Sequence, residues 1–242
     1  MDAKQEKLLC GIDLPNGLRE ARFVFRRNRF VGEIEIEGRA ELAHVPSSGR
    51  MRELLYPGAD IFVAPARGPQ AKLGYRILLA YCRGRLVSVD SLLPNRLVRK
   101  ALVAGVLPGL KGCRAIRPEV SYGHGRFDFY FEDASGAGCY LEVKSVTLVE
   151  GGVALFPDAP SERGARHMEE LAAARREGYR AVVLFIIQRD DAQCFSPHRE
   201  RDPLFSDGLC RASGTGVEVM AMNCRVSTSE VCLDRQVPVI CS

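Results

Sequence analysis

The chain has no tryptophan, no CxxC pair, no internal repeat and no low-complexity segment. Its cleanest apolar run, 181–187 (AVVLFII), is seven residues long. A membrane-spanning helix needs about 20, so no such span is expected. Nine cysteines are present, but the count is odd and they are widely spaced. That spacing supports neither a zinc ribbon nor a redox motif, and zinc-type histidine spacing is missing too. The start, MDAKQEKLLCGIDLP, is charged and carries no apolar signal core. Reduced thiols in a cytoplasmic protein are the simplest expectation. The glycines of SYGHGRFD (121–128) are not followed by Lys-Ser or Lys-Thr, which excludes a phosphate loop.

What remains is an ordinary globular composition, with 46% hydrophobic and 26% charged residues in 242. Net charge is only +4. Its distribution says more. Residues 19–29 (REARFVFRRNR) hold five arginines, and 96–117 hold six basic residues and no acidic one. Each run reads as a solvated surface or as a nucleic-acid face. Arg22, Arg26, Arg27 and Arg29 are the candidate DNA contacts in the first run.

Short apolar stretches bounded by turn residues fill the first 85 residues: 22–26 (RFVFR), 30–37 (FVGEIEIE), 39–45, 59–64 and 75–82. They predict a small β-barrel domain over 1–85, with an oligonucleotide-binding (OB) barrel as the natural candidate. Residues 88–106 turn helical in their second half, with Asn95 as the expected cap and Gly105 near the end. Beyond Pro118 the pattern alternates strand and helix. Strands are expected at 126–132 (RFDFYFE), 139–148 (CYLEVKSVTL), 180–188 and 216–222, and helices at 161–177 and 202–213. A hairpin followed by crossover units defines a mixed-sheet α/β domain over 86–242. The last 15 or so residues carry no clear pattern.

Strand alternation puts Phe127, Phe129 and Phe131 on one face and Asp128 on the other. Glu142 and Lys144 share a face of the next strand, and a hairpin loop can bring Asp128 beside Glu142. Two close carboxylates repel, and a divalent cation relieves that repulsion. Asp128 and Glu142 are therefore candidate ligands for Mg²⁺ or Mn²⁺. Lys144 is the candidate for orienting water or steadying charge on a phosphate. An alternating charged strand facing water gives the same letters without any site.

Asp128 followed by Glu142-Val143-Lys144 resembles the PD-(D/E)xK nuclease pattern. The surrounding stretches resemble, more narrowly, the bacterial and archaeal sugar fermentation stimulation protein A family. These include AHVPSSGRMRELLYPGA (43–59), VDSLLPNRLV (89–98), PEVSYGHGRFDFYF (118–131), YLEVKSVTL (140–148) and FPDAPSERGARHMEEL (156–171). The resemblance implies an N-terminal OB-like domain, a restriction-nuclease-like C-terminal domain, DNA binding and a link to sugar use, maltose especially. By position it implies Asp128 and Glu142 as metal ligands and Lys144 as the catalytic lysine. It adds Glu119 as the acidic residue before the hairpin and Gln188 as an accessory polar residue. Arg163 and His167, one helical turn apart, could face DNA phosphate or the site, or stay in solvent. Asp158 reads as a metal group or a backbone cap, and His44 and His124 as surface residues. Three functions fit: a metal-dependent nuclease, a non-catalytic DNA-binding regulator (homodimeric or not, contacting DNA non-specifically), and an enzyme on a small phosphate ester. A deep closed pocket would favour the third.

Overall fold

The structure, a computed structural model, describes residues 10–66 and 73–241. The charged residues 1–9 lie outside that range. In chain order the first elements are β1 (Cys10–Asp13), β2 (Arg19–Asn28), β3 (Val31–Ile36), β4 (Arg39–His44), β5 (Asp60–Pro65), β6 (Tyr75–Cys82), β7 (Arg85–Ser88) and α1 (Leu93–Ala104). There follow β8 (Arg114–Tyr122), β9 (Gly125–Glu132), β10 (Gly138–Val146), β11 (Val149–Glu150), β12 (Val153–Phe156) and α2 (Glu162–Arg176). The chain continues through β13 (Arg180–Ile187), β14 (Cys194–Pro197), α3 (Pro203–Gly214), β15 (Glu218–Val226) and β16 (Glu230–Val237).

Alternation along β2 to β6 sends Phe23, Ile34, Ala43, Ile61, Val63 and Ile77 into one core. The strands run in the order β4-β3-β2-β5-β6, and a parallel β4–β6 pairing closes the ring. This is an OB-type five-stranded barrel. Two tight hairpins help set its register. Glu37-Gly38 and Arg83-Gly84 both lie at positive φ, the geometry that matches strand twist in two-residue turns.

The arginine run at 19–29 is largely consumed within this barrel. Arg26 donates to the carbonyls of Gly49 (2.6 Å), Arg50 (2.9 Å), Arg29 (2.6 Å) and Ser47 (2.8 Å), which fixes the loop after β4. Arg27 binds Glu33 at 2.6 Å, and Arg22 meets Asp60 at 3.2 Å and the carbonyl of Gly58 at 3.1 Å. A free basic strip made of Arg22, Arg26, Arg27 and Arg29 is therefore not what the fold presents. Among the described residues, Arg29 alone of these four makes no side-chain hydrogen bond or ion pair.

The second domain is built on a seven-stranded sheet, β1-β16-β15-β13-β10-β9-β8. β10, β13 and β15 are parallel to one another, and their crossovers put α2 and α3 on one face. On the other face α1 packs in a core that also takes Leu78 and Leu79 of the barrel. The two domains thus share apolar packing, and β7 docks on the end of β13 through Ser88 N–H to the carbonyl of Gln188 (3.1 Å).

A boundary at residue 85 cuts across these pairings. β1 leaves the barrel to pair with β16, and β7 still belongs to the barrel sheet. β8 is an edge strand, where Pro118 removes no ladder hydrogen bond that the sheet needs. β16 occupies the stretch without a clear pattern, because Val231, Cys232 and Leu233 are buried in succession and break the alternation. Asn95 is not the helix cap: Leu92 takes that position, with no side-chain bond. Ser161 does cap α2, accepting from Gly164 N–H at 3.1 Å.

Removing Arg26 exposes the different standing of these arginines. Arg26→Ala should cost about 2 kcal/mol in urea unfolding, since a charged donor to four carbonyls is lost. Arg22→Ala and Arg27→Ala, which break exposed pairs, should stay within about 0.5 kcal/mol. Equal losses in all three would contradict the assignment.

Candidate active site

The site forms where β9 parts from β10. Antiparallel register runs from Gly138↔Glu132 to Leu141↔Phe129 and stops there. Beyond that pair the Asp128 side chain takes the place of the partner strand, its Oδ2 accepting from Val143 N–H at 2.8 Å. This departure divides the three phenylalanines. Phe129 and Phe131 join the core under α1, whereas Phe127 packs with Tyr122 and Tyr140 on the α2 side. Strict alternation therefore fails at Asp128, and the expected single phenylalanine face is corrected. Asn95, in the first turn of α1, donates to Asp128 Oδ1 at 2.7 Å. Burial pushes the Asp128 carboxyl up to about 6, with Glu142 adding to the rise against the donors Val143 and Asn95.

Glu142 and Lys144 sit on the α2 side of β10, and the intervening Val143 packs in the opposite core. Glu142 is buried, and its Oε1 accepts from Lys144 Nζ at 2.7 Å and from His167 Nδ1 on α2. Arg163 Nε lies 3.3 Å from His167 Nε2. Since an arginine Nε–H can only donate, Nε2 accepts and the ring proton belongs on Nδ1, facing Glu142. Burial raises the Glu142 carboxyl, but the His167 bond and the Lys144 ammonium outweigh it and hold it below its ordinary value. Both donors fall on Oε1. Oε2 is buried and, among the described residues, has no partner.

The remaining sequence candidates scatter. Glu119 lies opposite Asp128 in the β8–β9 ladder, at φ 56°, but its carboxylate binds Arg126 at 2.7 Å and is half exposed. Gln188 donates to Ser145 Oγ at 2.9 Å, on the α1 side of the sheet, away from the Glu142–Lys144 face. His167 is buried, so a direct DNA-phosphate contact is corrected: it holds Glu142 instead. Arg163 stays at the surface of a cleft beside Lys144. Asp158 caps backbone, though not that of α2: it accepts from Met51 N–H of the barrel loop at 3.2 Å. Sequence reasoning missed Asn95 as the partner of Asp128. The position next to Pro94 in a stretch shared with the resembling family was the available signal.

Hard oxygen donors fit a divalent cation here. Glu142 Oε2 is unsatisfied, and each Asp128 oxygen accepts one hydrogen bond and keeps a second lone pair. Among the described residues no cluster of three or more His, Cys, Asp or Glu forms a complete cage. A two-carboxylate site that keeps its cation's waters is the arrangement these residues allow.

Fold and site geometry define the class: an OB barrel joined to a restriction-nuclease-like α/β domain. Two family models match, the SfsA N-terminal OB domain over residues 24–89 and the sugar fermentation stimulation protein RE domain over 92–230. A sugar fermentation stimulation protein homolog of Desulforamulus reducens is 52% identical, covering 92% of both chains. That of Moorella thermoacetica is 45% identical, covering 92% of this chain and 96% of its own. A solved structure of Pyrococcus furiosus SfsA in complex with Ca²⁺ matches with a TM-score of 0.88 at 32% identity, over 97% of this chain and 99% of that one. The chain belongs to the sugar fermentation stimulation protein (SfsA) family.

Removing His167 tests the arrangement around Glu142. His167→Ala should cost roughly 3 kcal/mol at neutral pH, and His167→Asn, whose amide can stand in for Nδ1–H, should recover part of it. The depressed Glu142 carboxyl stabilises the fold above its unfolded value, and this is lost as pH falls through the folded value. The difference between wild type and His167→Ala should therefore narrow below about pH 4.5. A loss that stays as large well below that point as at neutral pH would contradict the role.

Proposed function

We propose that the protein binds DNA and carries a divalent-cation phosphodiesterase centre, with Asp128 and Glu142 as ligands. One observation carries this reading: a buried carboxylate whose second oxygen has no partner, next to a second carboxylate that burial keeps from ionising readily. The Ca²⁺ complex of the Pyrococcus furiosus relative supports a cation in this family. Mg²⁺ or Mn²⁺, when bound, supplies Lewis acidity and an activated water. Asn95 and Val143 N–H hold the Asp128 carboxylate in place, and His167 does the same for Glu142. Lys144 is the charged residue of this set that also lines the neighbouring cleft, where its ammonium can hold a phosphate oxygen. Glu119 and Gln188 have no part in this centre. Contacts to phosphates carry no sequence information, so binding through them is non-specific.

A non-catalytic regulator is the second reading. It is favoured by Lys144 already neutralising Glu142, so that the centre is partly satisfied without a cation. The relatives' names tie the family to sugar fermentation, and DNA binding is the step through which such a regulator acts. No described helix is long and apolar enough to cross a membrane.

Mn²⁺ titration by calorimetry should show one site, abolished in Asp128→Ala and Glu142→Ala. Below about pH 6 the cation must displace a proton from Asp128, so apparent affinity should fall by up to tenfold per pH unit. Above that value it should level off. Affinity independent of pH, or unchanged in both variants, would overturn the cation site. With plasmid or single-stranded DNA and Mn²⁺, cleavage lost in Lys144→Ala supports turnover. Cleavage that survives Lys144→Ala and Glu142→Ala removes the phosphodiesterase reading, and no cleavage by wild type leaves the regulator.

A further inference from the structure

Lys144 and Arg163 form one wall of a cleft of about 470 Å³, and Arg29, Ser47 and Ser48 of the barrel form the opposite wall. Three cations from two domains thus face one space. Among the described residues neither Arg29 nor Arg163 has a carboxylate partner. Leu155 and Phe156, half-buried, add an apolar side to the same cleft. Cationic and hydroxyl groups that share a cleft with an apolar surface suit a phosphate and its attached base.

The cleft is also held at its width. Arg26 clamps the carbonyls of the barrel loop, and Asp158 accepts Met51 N–H of that loop at 3.2 Å from across the domain boundary. The approach is close: a Cβ at Gly49 would meet Asp158 Oδ2 at 2.8 Å. Ser91, just before α1, donates its hydroxyl to the carbonyl of Pro46 at 2.8 Å. A volume of about 470 Å³ suits about one nucleotide of a single strand at a time.

We infer that the cleft between barrel and nuclease-like domain takes a single DNA strand, with Arg29 and Arg163 as its phosphate contacts from the two sides. This rests on the DNA-binding reading above and names the form of DNA. It also places the barrel as one wall of the substrate path rather than as a separate DNA-binding module.

Anisotropy titration in Ca²⁺ tests it, using a labelled oligodeoxythymidylate of about 15 nucleotides, a duplex of equal length and a deoxynucleoside monophosphate as competitor. The strand should bind at least about tenfold more tightly than the duplex. Arg29→Ala and Arg163→Ala, each checked for an unchanged melting temperature, should weaken strand binding severalfold. Each should also lower the log–log salt slope by about 0.7, one phosphate contact's worth on a single strand. Equal or tighter duplex binding overturns the inference while leaving the DNA-binding reading intact. So does an unchanged slope in both variants. A monophosphate that binds as tightly as the strand assigns the cleft to a small ester and also overturns it. If neither polymer binds, the DNA-binding reading itself fails.

Discussion

Keeping the Glu142 carboxylate ionised inside the protein is the constraint around which the second domain is arranged. An isolated buried carboxylate costs several kcal/mol, and it survives only with donors or a cation close by. Here a lysine two residues along the same strand and a histidine from the crossover helix supply the donors, both to one oxygen. α2 must therefore lie against β10 at a fixed rotation. Ser161 starts it with a side-chain cap, and Met168 and Leu171 bury its apolar stripe. The second oxygen stays unsatisfied, as do nine other buried side-chain atoms among the described residues. An unpaired oxygen beside a second carboxylate marks a place where function outweighs stability.

Asp128 solves a different problem. The sheet opens at this residue, and an opened ladder leaves a backbone N–H without its partner. The Asp128 carboxylate accepts that N–H and an amide from α1, so the break in the sheet becomes a rigid mount for the side chain. Its neighbour Glu142 and its burial together make ionisation harder. One carboxylate is held low by donors and the other held high by surroundings, and their attachments to β10 are adjacent, at Glu142 itself and at the N–H of Val143.

The shared face of Glu142 and Lys144 was legible in the sequence because a period of two carries it, and the hairpin brings Asp128 to the same strand. The way Asp128 meets Val143 N–H was not, because it depends on the break in alternation. The barrel strands, the helix at 161–177 and the parallel strands that follow were legible too. The division of Phe127 from Phe129 and Phe131 was not, because it depends on where the strands part, and no local pattern records that. Asn95 read as a cap because Asn is a favoured residue at that position near a helix start; its true partner lies 33 residues away in sequence. His167 and Arg163 were legible as a pair on one helical face, but which element that face meets depends on tertiary packing. Arg26 looks identical to Arg29 as a letter, and their opposite fates follow from the loop carbonyls that only one of them reaches. β1 and β16 pair the two ends of the described chain, a contact of long sequence separation that composition cannot show.

Barrel and nuclease-like domain share a core through α1, and a clamped loop lies between them at the mouth of the site. The proposed cation site lies between the two carboxylates that meet at Glu142 and the N–H of Val143. Anomalous diffraction from crystals soaked in Mn²⁺ examines that spot directly. The account requires a single strong peak shared by Asp128 and Glu142, with Oε2 of Glu142 among the ligands. A peak elsewhere, or none at neutral pH while both carboxylates remain ordered, would contradict it.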